Sequence, residues 1–428
     1  MKRRFIASPP LGKSSTDAPG PPDPHDPLEH AACSRYCHGV VRGDVANDAS
    51  LCAATTKQDD GVTGTQGWRS RVAVANGPEQ ARDANEIPHA DGGPHRRHRG
   101  IDGWRAVAAG FVVVAHAVNF RFPSVPGVPF HLLQRVSGPL AQIGVQLFFV
   151  ISGFIITSLM LREQGARGHV SIAAFYARRL CRILPPLLLY YAVIVALAVQ
   201  GAIELPGSSL ASSATFTCNL GFLDCDWWVA HTWSLAVEEQ FYLGWPLLFG
   251  VLPANRRRWL LIGTLVLCTV GIAWRPHVFH SNFTSFGCIA AGALYAISPG
   301  LRQACLRAAS TPAWLAAVAM LVLTPLTRFD GLAVIALPFL ITYIIFAGNA
   351  LGWVRTILET RPFQIVGAAS YSLYLWQQLF LAAPARYVGT PLPLLLLPVA
   401  VCLSVFLVER PFIRLGRHLS RRFETAPA

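Results

Sequence analysis

The sequence predicts an all-α fold, a polytopic membrane helix bundle of about ten transmembrane helices. Three observations carry that expectation. Of 428 residues, 53% are apolar and only 14% charged, and the mean hydropathy is +0.41, too apolar for a chain of soluble domains. From Ile101 onward, apolar blocks of membrane length alternate with short polar breaks. Third, the arginines in those breaks fall on alternate sides.

The blocks run at about 101–120, 138–161, 183–203, 232–252, 259–275, 283–298, 312–327, 331–349, 364–383 and 392–408. With the first loop placed in the cytoplasm, twenty arginines fall inside, from Arg96 to Arg422. Only Arg121, Arg135, Arg275, Arg328 and Arg386 fall outside. Basic residues are retained on the cytoplasmic side of a membrane protein. The bias therefore predicts ten spans in the inner (plasma) membrane with both termini cytoplasmic, since one missed helix would invert every later loop.

Residues 1 to about 98 are of another kind. They are rich in Pro, Gly, Asp, Ala and Ser, show no apolar periodicity, and hold the three lysines Lys2, Lys13 and Lys57. Such a stretch buries too little apolar surface to offset its ordering entropy, and it has no apolar signal-peptide core. It reads as a disordered extension or as translated sequence upstream of the true start. The membrane domain is expected over 99–420 and a short cytoplasmic tail over 421–428.

The formal net charge of +13 raises the question of nucleic acid. The basic residues are scattered between apolar blocks and form no single patch, so the partner they indicate is the lipid bilayer, not nucleic acid. Ten cysteines include no zinc-type pair of CxxC motifs. Cys33 and Cys37, beside His38, read as incidental thiols, and no metal site is expected. Cys218 and Cys225 lie seven apart in CNLGFLDC, on a loop assigned to the outside. A disulfide and two free thiols stand equally open there.

The first block, IDGWRAVAAGFVVVAH (101–116), carries Asp102, Arg105 and His116. Eleven residues at about 100° each bring Arg105 and His116 within about 20° of one another, and Asp102 lies on the same side. The rise of roughly 16 Å puts Arg105 near the cytoplasmic boundary and His116 near mid-membrane. One reading is a snorkelling arginine and a satisfied core histidine. The other is functional, because ionisable groups inside a membrane are costly and mark reaction or transport paths. Histidine accepts a proton near neutral pH and arginine holds phosphate or carboxylate with a paired fork. In the fourth block, Glu238 and Glu239 are adjacent, so their side chains point about 100° apart and only one can face the bundle interior. They are either caps near the helix N-terminus or members of an ion pair, with Glu238 the inward one.

Six stretches together resemble one family, the acyltransferase family 3 membrane proteins. IDGWRAVAAGFVVVAH resembles the family's first helix, with its arginine, ten residues, then histidine. GVQLFFVISGFIITSLM (144–160) is similar to its second helix. FYARRLCRILPP (175–186) is similar to its basic approach to the third. HTWSLAVEEQFYLGWPLL (231–248), AASYSLYLWQQ (368–378) and VERPFIRLGRHL (408–419) follow in the family's order.

The resemblance implies an integral membrane O-acyltransferase. It would move an acetyl or similar short acyl group from cytoplasmic acyl-CoA, most simply acetyl-CoA as co-substrate with no permanently bound cofactor, to a hydroxyl of a surface polysaccharide or lipid-linked sugar. Arg105 and His116 would be the essential pair, with Glu238 as a third catalytic residue. Arg179 and Arg182, matching the family's RxxR motif, would meet CoA phosphates. Asp102, Trp233, Ser234, Glu239, Tyr371, Tyr374 and Gln377 are the further residues expected at the substrate. Gln377 departs from the family pattern, where histidine commonly follows SYSLYLW. Glutamine hydrogen-bonds but is no base at neutral pH, which bears on the acceptor more than on the reaction class. The chain reads as a stand-alone membrane domain without the esterase-like extension of some members. Competing readings are acylation of a small molecule such as a macrolide, a secondary transporter, although no repeated halves are visible, and a polysaccharide polymerase or flippase.

Overall fold

A computed structural model describes residues 99–120, 130–222, 224–274, 280–323, 330–381 and 392–425. The expectation for residues 1–98 lies outside them. Among the described residues the regular structure is all helical.

Helix α1 (Arg99–Phe120) packs against α2 (Phe130–Arg167), which starts eight residues before its apolar block. Helix α3 (Ile172–Val199) begins eleven residues before its block. Ser171 caps it, its side chain accepting from the Ala174 N–H at 3.3 Å. The run AAFYARRLCR is therefore helical, and Arg178, Arg179 and Arg182 stand on α3 itself instead of in a loop leading to it. A short outer segment holds α4 (Gly207–Ala214), the Cys218–Cys225 disulfide and the single turn α5 (Trp227–Ala230). The pairing of those two cysteines settles the alternative left open by their spacing.

Helix α6 (Thr232–Val251) follows, then α7 (Ala254–Trp274). Helix α8 (His280–Ile297) bends by 96° into α9 (Pro299–Arg307), and α10 (Thr311–Leu323) comes next. Helix α11 (Asp330–Ala350) bends by 94° into α12 (Gly352–Leu358). Helix α13 (Arg361–Leu381) precedes α14 (Leu392–Leu403), which continues through a π-helical turn (Ser404–Glu409) into α15 (Arg410–Thr425).

By length and apolarity, four stretches among the described residues are sufficient to cross a membrane, namely α1, α2, α3 and the run through α14 and α15. The two bent pairs raise this to six. Of the other expected blocks, two lie on α6 and α13, whose polar groups lower their apolarity. Helix α6 holds Glu238, Glu239 and Gln240, and α13 holds Ser370, Ser372, Gln377 and Gln378.

Close helix approaches fix the frame around the site. A Cβ on Gly153 of α2 would collide with the Ile289 carbonyl of α8, and one on Gly292 of α8 with the Val150 carbonyl of α2. Small residues let helix backbones touch where lipid supplies no hydrophobic drive. In the same way Gly367 of α13 lies against the Asp102 carbonyl of α1. Two apolar clusters complete the core, one around Phe149, Ile289 and Ile345, the other around Tyr190, Leu187 and Phe249.

Candidate active site

A cavity of about 90 Å³ opens between α1, α2, α3, α6 and α13. From α1 it takes Arg105. The guanidinium donates through Nε and one Nη to the Ser370 hydroxyl of α13, at 3.1 and 3.0 Å. From α3 it takes Arg179 and Arg182, three residues apart and so on one face. The Arg179 guanidinium sits 4.6 Å from the centroid of the Tyr242 ring, a cation–π contact. Among the described residues neither arginine makes a side-chain hydrogen bond or a salt bridge.

Helix α6 contributes the one carboxylate in the lining, Glu238. Its Oε1 accepts from the Ser152 hydroxyl of α2 at 2.7 Å and its Oε2 from the Tyr242 hydroxyl, one turn along α6, at 2.9 Å. Glu238 is thus held by neutral donors, with no ion pair closer than 4 Å among the described residues. Three guanidinium groups and one carboxylate thus line a cavity with low-dielectric walls, where charge interactions are far stronger than in water.

His231, Ser234, Tyr371 and Tyr374 line the cavity as well. The Tyr374 hydroxyl donates to the His231 carbonyl at 3.0 Å and lies 2.6 Å from the Ser234 hydroxyl. The Tyr371 hydroxyl donates to the Ile183 carbonyl at 2.8 Å, tying α13 to α3.

Of the residues singled out in the sequence, Arg105, Arg179, Arg182, Ser234, Glu238, Tyr371 and Tyr374 converge on this space. The others lie apart from its lining. His116 sits further along α1, its Nδ1 2.8 Å from the Val112 carbonyl. A carbonyl only accepts, so Nδ1 carries the proton of the neutral ring and Nε2 the lone pair. The His116 ring lies 6.4 Å from that of Trp227. Trp233 packs edge-on against Phe149 at 6.1 Å and belongs to the core. Asp102 supports the α1–α13 contact through its backbone. Glu239 has a buried Oε1 with no hydrogen-bond partner among the described residues. Gln377 is fully buried; its Nε2 is 3.5 Å from the Gln378 Oε1, and Gln378 donates to the Trp227 carbonyl at 2.8 Å.

Sequence reading passed over His231, Ser152, Tyr242 and Ser370. His231 heads the HTWSLAVEEQF stretch and Ser370 opens SYSLYLW. Tyr242 is one helical turn from Glu238 and was visible by spacing alone. Nothing in the sequence pairs Ser152 with Glu238.

Comparison with known proteins gives the same frame. The family model for an acyltransferase domain, Acyl_transf_3, matches residues 98–408. YrhL of Bacillus subtilis (strain 168), whose name assigns it provisionally as a peptidoglycan O-acetyltransferase, is 27% identical over 390 aligned residues, covering 77% of this chain and 57% of its own length. The O-acetyltransferase OatA of Staphylococcus aureus (strain NCTC 8325 / PS 47) is 29% identical over 192 residues, covering 39% of this chain and 28% of OatA. The chain thus spans little more than half the length of the first of these relatives and about a quarter of the second. No solved structure matches it. With its long apolar helices and a domain match across most of its length, this membrane protein belongs to the acyltransferase 3 family.

Proposed function

We propose that the chain transfers an acetyl or similar short acyl group from cytoplasmic acyl-CoA to a hydroxyl of a cell-surface polysaccharide or lipid-linked sugar. One observation carries this reading: Arg105, Arg179 and Arg182, from two helices, face one small cavity. Two of them make no side-chain hydrogen bond and no salt bridge within 4 Å among the described residues. Guanidinium forks are the side chains best matched to phosphate.

The cavity volume defines what enters. About 90 Å³ is well below the roughly 300–1,000 Å³ that encloses a drug-sized ligand. A nucleotide therefore stays at the mouth, its phosphates on Arg179 and Arg182, while the thioester and a short acyl group reach inward. Glu238, fixed by Ser152 and Tyr242, offsets the positive charge between turnovers. The acceptor hydroxyl gives its proton to His116 Nε2 as its oxygen attacks the thioester carbon. The C–S bond then breaks, and the departing thiolate takes the proton from the imidazolium, leaving an ester, free CoA and a neutral histidine. The names of the relatives, both O-acetyltransferases and one of peptidoglycan, favour a cell-wall glycan as acceptor.

The test is membranes holding the chain, supplied with acetyl-labelled acetyl-CoA and either peptidoglycan fragments or lipid-linked sugar. Ester label on the glycan supports the reading. Label on an added macrolide in place of glycan would move the acceptor class to small molecules, and solute uptake without acylation would point to transport.

A further inference from the structure

His231 is the one cavity-lining imidazole, and its surroundings are unusual. The residue is 6% exposed, and among the described residues neither ring nitrogen has a hydrogen-bond partner. Everything else about it is held. Its carbonyl accepts from the Ser234 N–H at 3.4 Å, the Ser234 hydroxyl at 3.2 Å and the Tyr374 hydroxyl at 3.0 Å. Its ring stands edge-on to Tyr190, 5.3 Å away and 86° inclined, and is flanked by Tyr374 at 5.8 Å. Tyr190 is itself anchored by donating to the Trp228 carbonyl at 2.7 Å.

Leaving a buried polar group unpaired costs about 1–3 kcal/mol, and here the bonded carbonyl fixes the backbone while the Tyr190 and Tyr374 rings pack beside the imidazole. A side chain fixed in that state is prepared for a group that arrives. Because no carboxylate lies within 4 Å of its ring nitrogens among the described residues, an imidazole this buried is a neutral ring with one N–H and one lone pair. The anion-holding groups already face the same space, so the polar atom that arrives between them and His231 belongs to the reacting arm of the donor. Its most demanding atom is the thioester oxygen, which gains charge as the acceptor adds.

We infer that His231 is a catalytic hydrogen-bond donor whose ring N–H meets the thioester carbonyl oxygen and stabilises the oxyanion. This rests on the acyl-transfer reading given above. As the acceptor oxygen bonds to carbon and its proton passes to His116, the carbonyl π pair moves onto oxygen. His231 donates to that oxygen without giving up its proton. When the carbonyl reforms and the thiolate leaves with the proton from His116, His231 is unchanged. Such a donor acts in the transition state more than in binding, so its loss falls on turnover.

The test uses full-length chain in membranes with labelled acetyl-CoA and peptidoglycan fragments, comparing wild type, His231→Ala and His231→Gln. Variants are matched for membrane quantity and for the Cys218–Cys225 disulfide, so that misfolding is scored separately. The expected result is a fall in kcat for His231→Ala of about 10²–10³-fold with little change in KM for acetyl-CoA, and recovery of about tenfold or more by the N–H-bearing His231→Gln. A merely structural residue would not be rescued by glutamine. Wild-type kcat in His231→Ala, a loss confined to KM, or a glutamine variant as inactive as the alanine one would overturn the inference and leave the function standing. Absence of transfer by the wild type would overturn both.

Discussion

Arg105 and Ser370, 265 residues apart in the chain, are joined by two hydrogen bonds of 3.0 and 3.1 Å from one guanidinium to one hydroxyl. A charged donor inside an apolar bundle is thereby held at the cavity wall instead of reaching toward an interface. Bonds to a charged group contribute about 1.5–3 kcal/mol each in favourable settings. Ser370→Ala is expected to leave the bundle folded but release the arginine, raising KM for acetyl-CoA by about tenfold or more if half that energy is used to place the donor. Steady-state kinetics in membranes, beside thermal unfolding in detergent, separate the two effects.

The Glu238 carboxylate depends on Ser152 and Tyr242 for both of its oxygens. Tyr242→Phe removes one donor and keeps the ring under Arg179, so it should lower activity by about tenfold with a modest stability loss of about 1–2 kcal/mol. Glu238→Ala strips the cavity of the only carboxylate among its described lining residues and is expected to cost more than either donor alone. The double variant Ser152→Ala/Tyr242→Phe should fall close to Glu238→Ala, since both remove the same anchored charge. Additive losses in that cycle would show that the two donors act elsewhere.

Helices α2 and α8 touch at Gly153 and Gly292, each against a backbone carbonyl of the other. No flexible side chain stands there to give way. Gly153→Leu or Gly292→Leu should therefore destabilise the bundle by about 1–3 kcal/mol. Gly153 adjoins Ser152, so activity should fall with stability in the Gly153 variant. Surface-type variants on α7, such as Gly263→Leu, where a Cβ meets open space, should be silent. Unfolding midpoints of the purified proteins decide this.

The Cys218–Cys225 disulfide closes a short loop whose Asn219 exchanges two hydrogen bonds with Gln240 of α6, at 3.1 and 2.9 Å. Asn282 of α8 donates to the Asn219 carbonyl at 2.6 Å. Closing so short a loop is worth about 2–3 kcal/mol on the chain-entropy account. Reductant should lower the unfolding midpoint of the wild type and leave a Cys218→Ser/Cys225→Ser variant unaffected. Equal sensitivity in both would place the effect of reductant at another cysteine.

The first span and the inward carboxylate were legible in the sequence because a charge in an apolar run is conspicuous and helical geometry says where it points. Two adjacent acids lie about 100° apart, and Glu238 lines the cavity while Glu239 does not. The same geometry put Arg105 and His116 on one face, but a shared face is not a shared cavity. The rise between them carries His116 past the lining toward Trp227. Hydropathy also misplaced the start of α3, since arginines are good helix formers and the Ser171 cap extends the helix ahead of its apolar run. Ser370 could not be matched to Arg105, because a hydrogen bond across 265 residues leaves no periodic trace. Trp233 resembles a site residue by motif, yet its neighbour Ser234 takes the cavity side and Trp233 the core.

The most direct test of acyl transfer compares wild type with His116→Ala, equally inserted in membranes, for transfer of label from acetyl-CoA to glycan hydroxyls. The account predicts alkali-labile ester label with the wild type and a loss of about 10²-fold or more in the variant. Transfer by His116→Ala at the wild-type rate would contradict it.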